Sequence, residues 1–295
     1  MALHVEQRAS NGSPGHRRMI ARVRVWWTIL RIALEDRLVY RGDFALGTLM
    51  RFLPIITQIF LWSAIFDALD RGPAGPSRIV GYQFEDMVAY YLLTMLARAF
   101  SSMPGLASGI ALQIRNGEIK RFLVQPVDLL GFLLLTRVAH KLAYYSVAVG
   151  PFALVFFLCR GYFVHGWPDA STIGLFALSL VLSFLLGFFL EACIGLMGFW
   201  LLEVGSLLFI YMLLSFFLSG HMFPLDMLPH PWRELVDLLP LKYLAYFPAA
   251  VFLDKLGSDE IARGVVVQCV WLAVFIVASR IAFRRGIRRY SAFGG

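Results

Sequence analysis

Residues 171–200 read STIGLFALSLVLSFLLGFFLEACIGLMGFW, and Glu191 is the single charged side chain in this stretch. A helix needs about 20 consecutive apolar residues to cross the hydrocarbon core of a bilayer. The stretch therefore predicts a membrane-spanning helix. The whole chain agrees, because 59% of its residues are hydrophobic and only 16% are charged. So few charged groups cannot cover a soluble domain of this length, and the many aromatic residues exclude a disordered chain.

The hydropathy pattern predicts an all-α integral membrane protein with six transmembrane helices in a domain over residues 44–283. The predicted spans are residues 44–66, 84–107, 130–158, 171–200, 204–219 and 262–283.

The segment before the first span has a different pattern. Over residues 20–41, Ile20, Val23, Trp26 and other apolar residues recur at three- and four-residue steps, with arginines between them. This pattern predicts an amphipathic helix that lies at the membrane interface. Residues 1–19 are polar and contain no apolar stretch typical of a cleavable signal, so we expect a flexible cytoplasmic tail.

The basic residues indicate an orientation. With the N-terminus inside, 15 Lys and Arg residues fall in the inner segments and 6 in the outer ones, and four of the 15 belong to a basic tail over residues 284–295. Because positive charge accumulates on the cytoplasmic side, both termini are predicted to be cytoplasmic. The orientation of the spans therefore explains the net charge of +8, and no nucleic-acid partner is expected.

An outer segment over residues 220–261 contains five of the 13 prolines but remains largely apolar. Proline ends helices, so we predict short broken helices that pack on the spans or dip into the outer leaflet.

Motifs of catalysis are absent from the sequence. It contains no G-x-x-x-x-G-K-[ST], no H-E-x-x-H and no G-x-S-x-G, and its three cysteines have no metal-ligand spacing. We therefore expect no catalytic residue, no metal and no cofactor in this chain.

A short inner loop between the second and third predicted spans is a candidate for transmitting force. Gly117 and Glu118 precede Ile119, Phe122 and Leu123, which gives a small amphipathic element that ends at Pro126. Two interpretations remain open. The element passes force between a cytoplasmic partner and the spans, or it is a basic hairpin that only sets the topology.

Four charged residues fall in the inner half of the predicted spans, namely Arg98, Arg137, Lys141 and Glu191. Charges in the membrane pair with one another or reach water. We therefore expect Glu191 to pair with one of the three basic residues and to lock helices together.

Two sets of motifs now identify a resemblance. Residues 114–126 read IRNGEIKRFLVQP, which resembles the coupling-helix segment of type-2 ABC exporter permeases. Residues 219–229 read SGHMFPLDMLP and residues 239–243 read LPLKY, which are similar to the motifs that follow the fifth span in that family. The order of elements also agrees over nearly the whole chain.

The resemblance implies a transmembrane permease subunit of an ATP-driven ABC exporter in the bacterial cytoplasmic (inner) membrane. Two permeases, identical or sister chains, would form the translocation path among membrane lipids, and separate ATPase subunits would bind ATP and Mg. The coupling element would span residues 113–128, with contacts to the ATPase at Gly117, Glu118, Ile119, Phe122, Leu123 and Pro126. The substrate path would include Tyr90, Tyr91, Met95, Phe209, Met212, Phe216 and Phe217.

Two other classes remain as alternatives. An ion-coupled secondary transporter or channel typically has internal repeats and acidic residues at midplane, and neither is evident in the sequence. A membrane enzyme acting on lipids would need converging His, Asp or Ser groups. Co-purification with an ATPase separates these classes, whereas the transported substrate stays open.

Overall fold

The computed structural model describes residues 14–38, 46–48, 50, 52–70, 78–124, 127–201 and 203–290. Within these residues the chain forms helices and turns, with one isolated bridge between Ile79 and Tyr82. The α-helices are α1 Pro14–Leu38, α2 Leu53–Asp70, α3 Phe84–Ser101, α4 Leu106–Arg115, α5 Lys120–Val124, α6 Leu129–Leu158, α7 Ala170–Leu196, α8 Gly205–Leu218, α9 Trp232–Leu238, α10 Tyr246–Phe252 and α11 Ser258–Tyr290. Short 3-10 helices cover Arg160–Tyr162, Met197–Phe199, Leu225–Met227 and Pro240–Leu244. The all-α prediction is confirmed.

Four helices of the described chain are long and apolar enough to cross a membrane. They are Leu46–Asp70, which ends with α2, then α6, α7 with the 3-10 turn that follows it, and α11. The predicted boundaries of α6 differ from the observed ones by one residue at the N-terminal end. For α7 the predicted start differs by one residue, and the predicted end at residue 200 lies just beyond the 3-10 turn that follows Leu196. By contrast α11 has 33 residues, or about 50 Å of helix at about 1.5 Å per residue, and therefore extends beyond a core of about 30 Å.

The other two predicted spans correspond to shorter helices. The predicted span 84–107 is interrupted after Ser101, because Ser102 is extended and Gly105 adopts a left-handed φ of 71°. The predicted span 204–219 is the 14-residue α8, about 21 Å long and too short to cross the core by itself. Six crossings therefore stay a prediction.

The first helix, α1, begins at Pro14, six residues before the predicted start at residue 20. It packs against α6. The ring of Trp26 lies 3.0 Å from the position that a Cβ on Gly131 would take. An interfacial location for α1 stays a prediction. Residues 1–13, at the start of the predicted tail, lie outside the described residues.

Two helices, α3 and α7, form the centre of the protein. Most of α3 is buried, and α7 packs against α3, α4, α10 and α11. Glycine makes the close approach of α7 possible, since a Cβ on Gly187 would lie 2.2 Å from the backbone oxygen of Ser101. The outer segment closes this core with short helices, and Ala249, Ala250 and Val251 of α10 are fully buried.

Candidate coupling element and translocation surfaces

The inner loop folds as two helices joined by a tight turn. The last turn of α4 ends at Asn116, and Gly117 follows with a φ of 79°. Its amide donates to the carbonyl of Ile114 at 3.2 Å, and the amide of Ile119 donates to the carbonyl of Gln113 at 3.3 Å. Such a left-handed glycine is the usual way to end a helix and satisfy its last carbonyls. The turn therefore sets the direction of α5.

Two of the predicted coupling residues anchor this element instead of presenting a surface. Ile119 is 1% exposed and Phe122 is 8% exposed, and both pack in an inner core with Ile114, Leu196 and Phe199. Because they face the protein, they fix the element to the inner ends of α7 and α11.

The outward side of the element is polar, and Glu118 lies at its centre. Glu118 is exposed, as are the four residues Arg115, Asn116, Lys120 and Arg121. Val124 is 84% exposed at the end of α5. We call these six residues the exposed turn surface. The backbone of Leu123 belongs to α5, and Pro126 lies outside the described residues.

The C-terminal end of α11 supports the turn from behind. The hydroxyl of Tyr290 lies 3.2 Å from the position that a Cβ on Gly117 would take, and its ring packs on Phe199. Gly286 allows this contact, since a Cβ there would lie 2.2 Å from the Phe199 ring. The turn thus rests on the last predicted span, a contact between residues too distant in sequence for any spacing to indicate.

Two of the three substrate-path residues predicted on α3 are buried and have specific bonding roles. Tyr90 donates its hydroxyl to the carbonyl of Gly220, and Tyr91 donates to the carbonyl of Met222. Trp62 of α2 donates to the Tyr91 hydroxyl at 2.9 Å. These bonds fasten the outer segment to α3. Met95 is half-buried on the same helix.

The substrate-path residues predicted on α8 are exposed instead. Phe209 and Met212 are 69% and 67% exposed, and Phe216 and Phe217 are also exposed. Ser215 is the one buried residue described on this helix. Exposed apolar area of this extent marks contact with lipid or with another protein. One predicted group is therefore largely buried within the chain, and the other lies exposed on its surface.

A sequence model of the family described as "ABC-2 family transporter protein" matches residues 52–294. The chain belongs to the ABC-2 transporter family. No curated protein matches it at a significant level. This family is the membrane component of ABC transporters and is not itself the ATPase, so the chain is a multi-pass ABC transporter membrane subunit. ATPase partner subunits follow in general terms from the family.

The four charges that the sequence predicts within the spans of this ABC-2 subunit interact electrostatically, and a direct ion pair of Glu191 stays a prediction. Arg98, Arg137 and Lys141 all act on the carboxyl group of Glu191. The Oε1 atom of Glu191 also accepts from the backbone amide of Met103 at 3.3 Å. Arg98 itself donates to Ser215 of α8 at 3.2 Å. Backbone groups at the end of α3 compete for these side chains, which sequence spacing could not indicate.

The side of the protein that the sequence predicts to be outer holds two carboxylates that sequence reasoning missed. Asp86 is 2% exposed and is bonded to Lys255 Nζ at 2.8 Å and to His165 Nε2 at 3.2 Å. Asp226 accepts from the Tyr82 hydroxyl at 3.0 Å and pairs with Arg233 at 3.1 Å. Apart from Arg233, these partners lie far away in the sequence.

Two outer groups have shifted pKa values with clear causes. Burial, reinforced by the charge of Asp226, raises the pKa of the Tyr82 hydroxyl far above its usual range, so this group remains a donor. Hydrogen bonds from Ser171 and Thr172 lower the pKa of Asp169 to about 2, which keeps this cap of α7 ionised. The contacts of Asp86 and Asp226 fasten the loops on this side of the protein to the predicted spans.

Proposed function

We propose that this ABC-2 subunit is the permease half of an ATP-driven exporter. The observation that carries the proposal is the exposed turn surface, a polar patch around Glu118 on an element whose apolar side is fixed to the inner core. A patch of this kind can receive a push from a partner without bending, because Ile119 and Phe122 fasten it to α7 and α11.

The proposed partner at this surface is a separate ATPase subunit that binds ATP and Mg. Closure of two ATPases on ATP would press on the exposed turn surface. The anchoring of Ile119 and Phe122 revises their proposed role: they would carry the displacement inward, and Glu118 with its polar neighbours would form the contact.

A second permease, identical or a sister chain, is proposed to cover the apolar face of α8. This placement is supported by the exposure of Phe209, Met212, Phe216 and Phe217 on a helix with one described buried residue. The translocation path would then run between the two subunits, with α8 of each contributing aromatic and Met side chains. Tyr90 and Tyr91 would support the path by holding the outer segment in place.

The proposed orientation places both termini and the turn in the cytoplasm of a bacterial cell, with the protein in the cytoplasmic membrane. The inner-segment charge bias supports it, and so does the arginine-rich end of α11 beyond the span. In this orientation α3 and α8 complete six crossings, and α8 is extended on the outer side by the apolar segment that follows it.

Co-purification tests the proposal directly. The chain is co-expressed with an ABC ATPase encoded beside it, purified through a tag on the chain, and the bound ATPase is quantified. We expect a stable complex that is lost in Glu118→Lys and retained in Glu234→Lys. Glu234 is an exposed carboxylate on α9 and makes a matched charge-reversal control. Equal retention of the ATPase by both variants would remove the turn from the proposed interface.

A further inference from the structure

The connection between α3 and α4 is a break that leaves backbone groups without helical partners. Ser102 is extended, Pro104 lacks an amide hydrogen, and Gly105 has a φ of 71° before α4 begins at Leu106. A helix end exposes carbonyls, and a helix start exposes amides. In a membrane each unsatisfied group costs several kcal/mol, so irregular backbone persists there only where other groups satisfy it.

Three charged side chains from two other helices satisfy this break. Lys141 of α6 donates to the carbonyls of Ala99 and Ser102, the latter at 2.8 Å. Arg137, one helical turn earlier, donates to the carbonyl of Pro104 at 2.8 Å. From the opposite helix, Glu191 of α7 accepts from the amide of Met103 at 3.3 Å.

Close packing reinforces these bonds on both sides of the break. A Cβ on Gly187 would lie 2.2 Å from the oxygen of Ser101, and a Cβ on Gly195 would lie 2.8 Å from the oxygen of Ala107. Both contacts come from α7. The last residue of α3 and the first turn of α4 therefore lie directly against the same helix.

We propose that Arg137, Lys141 and Glu191 are positioning residues that turn this break into a rigid joint between the coupling element and α3. A Pro-Gly break without such partners is a typical hinge. With them, α3, α4 and the inner halves of α6 and α7 move as one body. The inference rests on the proposed function, because it names the route by which a push on the exposed turn surface reaches α3 and its Tyr90 and Tyr91.

The joint is a property of the full chain and is measured without an ATPase, so its failure is distinguishable from failure of the proposed function. Cys159, Cys193 and Cys269 are first replaced by serine. Spin labels are then placed at Glu85 on α3 and Leu112 on α4, and the distance distribution is recorded in lipid nanodiscs. A second label pair at Val266 and Ile281, both on α11, reports on general unfolding.

We expect a single narrow distribution across the joint in the parent chain. Lys141→Met removes two hydrogen bonds and leaves two carbonyls unsatisfied, so the distribution should broaden at least about twofold. Lys141→Arg, which keeps a charged donor, should restore most of the narrow distribution. Lys242→Met, which removes an outer lysine that pairs with Asp237, should leave it unchanged.

The two variants at Glu191 separate the hydrogen bond from the charge. Glu191→Gln keeps an acceptor for the Met103 amide and should retain the narrow distribution, whereas Glu191→Leu should broaden it. Equal widths for Gln and Leu, or a distribution that is already broad in the parent chain, would overturn the joint. Broadening of the α11 pair in Lys141→Met would also overturn it, because the effect would then be global.

Discussion

The close approach of α7 to α3 at Gly187 predicts a large effect from one methyl group. A Cβ on Gly187 would lie 2.2 Å from the backbone oxygen of Ser101 and 3.1 Å from its carbon. Backbone cannot rotate away as a flexible side chain can, so Gly187→Ala must push α7 away from α3. Small-to-large changes in packed interiors cost about 1–3 kcal/mol, and a clash with backbone belongs at the upper end. At about 2–4 °C per kcal/mol, a cost of about 3 kcal/mol lowers the apparent Tm by roughly 6–12 °C.

The matched control lies on the same helix. Nothing lies within 4 Å of the Cβ position of Gly174, so Gly174→Ala adds helix propensity without a clash and should keep or raise the apparent Tm. Both variants are purified in the same detergent and melted by intrinsic tryptophan fluorescence. If Gly187→Ala melts within a degree or so of Gly174→Ala, then α3 and α7 do not approach as described.

Three further predictions address other parts of the protein. Burial lowers the pKa of His221 to about 4, below its value in the unfolded chain. The folded protein should therefore lose stability as the pH falls from about 6.5 to 4. His221→Phe should lose less, measured as the difference in apparent Tm between pH 7.5 and pH 5. Met212→Cys on the α8 face should give a disulfide-linked dimer in membranes, and Val270→Cys on exposed α11 should give none; equal cross-linking would contradict the proposed dimer face. Gly117→Ala places a Cβ at a φ of 79°, which costs about 1–2 kcal/mol and should loosen the turn. We expect faster proteolysis after Lys120 or Arg121 in this variant than in the control Gly109→Ala, because nothing lies within 4 Å of the Cβ position of Gly109.

Long apolar runs were predictable because a bilayer imposes one length on every crossing helix. The boundaries of α6 and α7 follow from largely apolar runs, which begin after Asp128 and after Asp169 and contain only a few charged residues. Both aspartates also cap these helices: Asp128 accepts from the amide of Gly131 at 2.7 Å, and Asp169 accepts from that of Thr172 at 3.3 Å.

The break in the predicted second span had a signal that hydropathy averaging hides. Pro104 and Gly105 stand together in an apolar run, and such a pair usually interrupts a helix. What holds the break was not predictable, because Lys141 and Glu191 come from helices 39 and 88 residues away from their bonding partners Ser102 and Met103. Depth in the membrane predicts that these charges interact with one another, but it cannot indicate the backbone groups that they also bind.

The candidate coupling element was predictable as an element but not in its orientation. The turn at Gly117 and the amphipathic residues around it are evident from local sequence. Which side faces the protein depends on contacts with Phe199 and Tyr290. Those contacts assign Ile119 and Phe122 to the core and leave Glu118 exposed.

The most direct test of the central claim is the rate of ATP hydrolysis by the partner ATPase, with and without this chain in nanodiscs. The account predicts that the rate of hydrolysis rises when the chain is present and is unchanged with Glu234→Lys. With Glu118→Lys, at ATPase concentrations below saturation of the chain, the stimulated rate should fall at least about tenfold. A tenfold loss of affinity corresponds to about 1.4 kcal/mol of binding free energy. A rate that does not respond to the chain, together with transport by the chain alone under an ion gradient, would contradict the account.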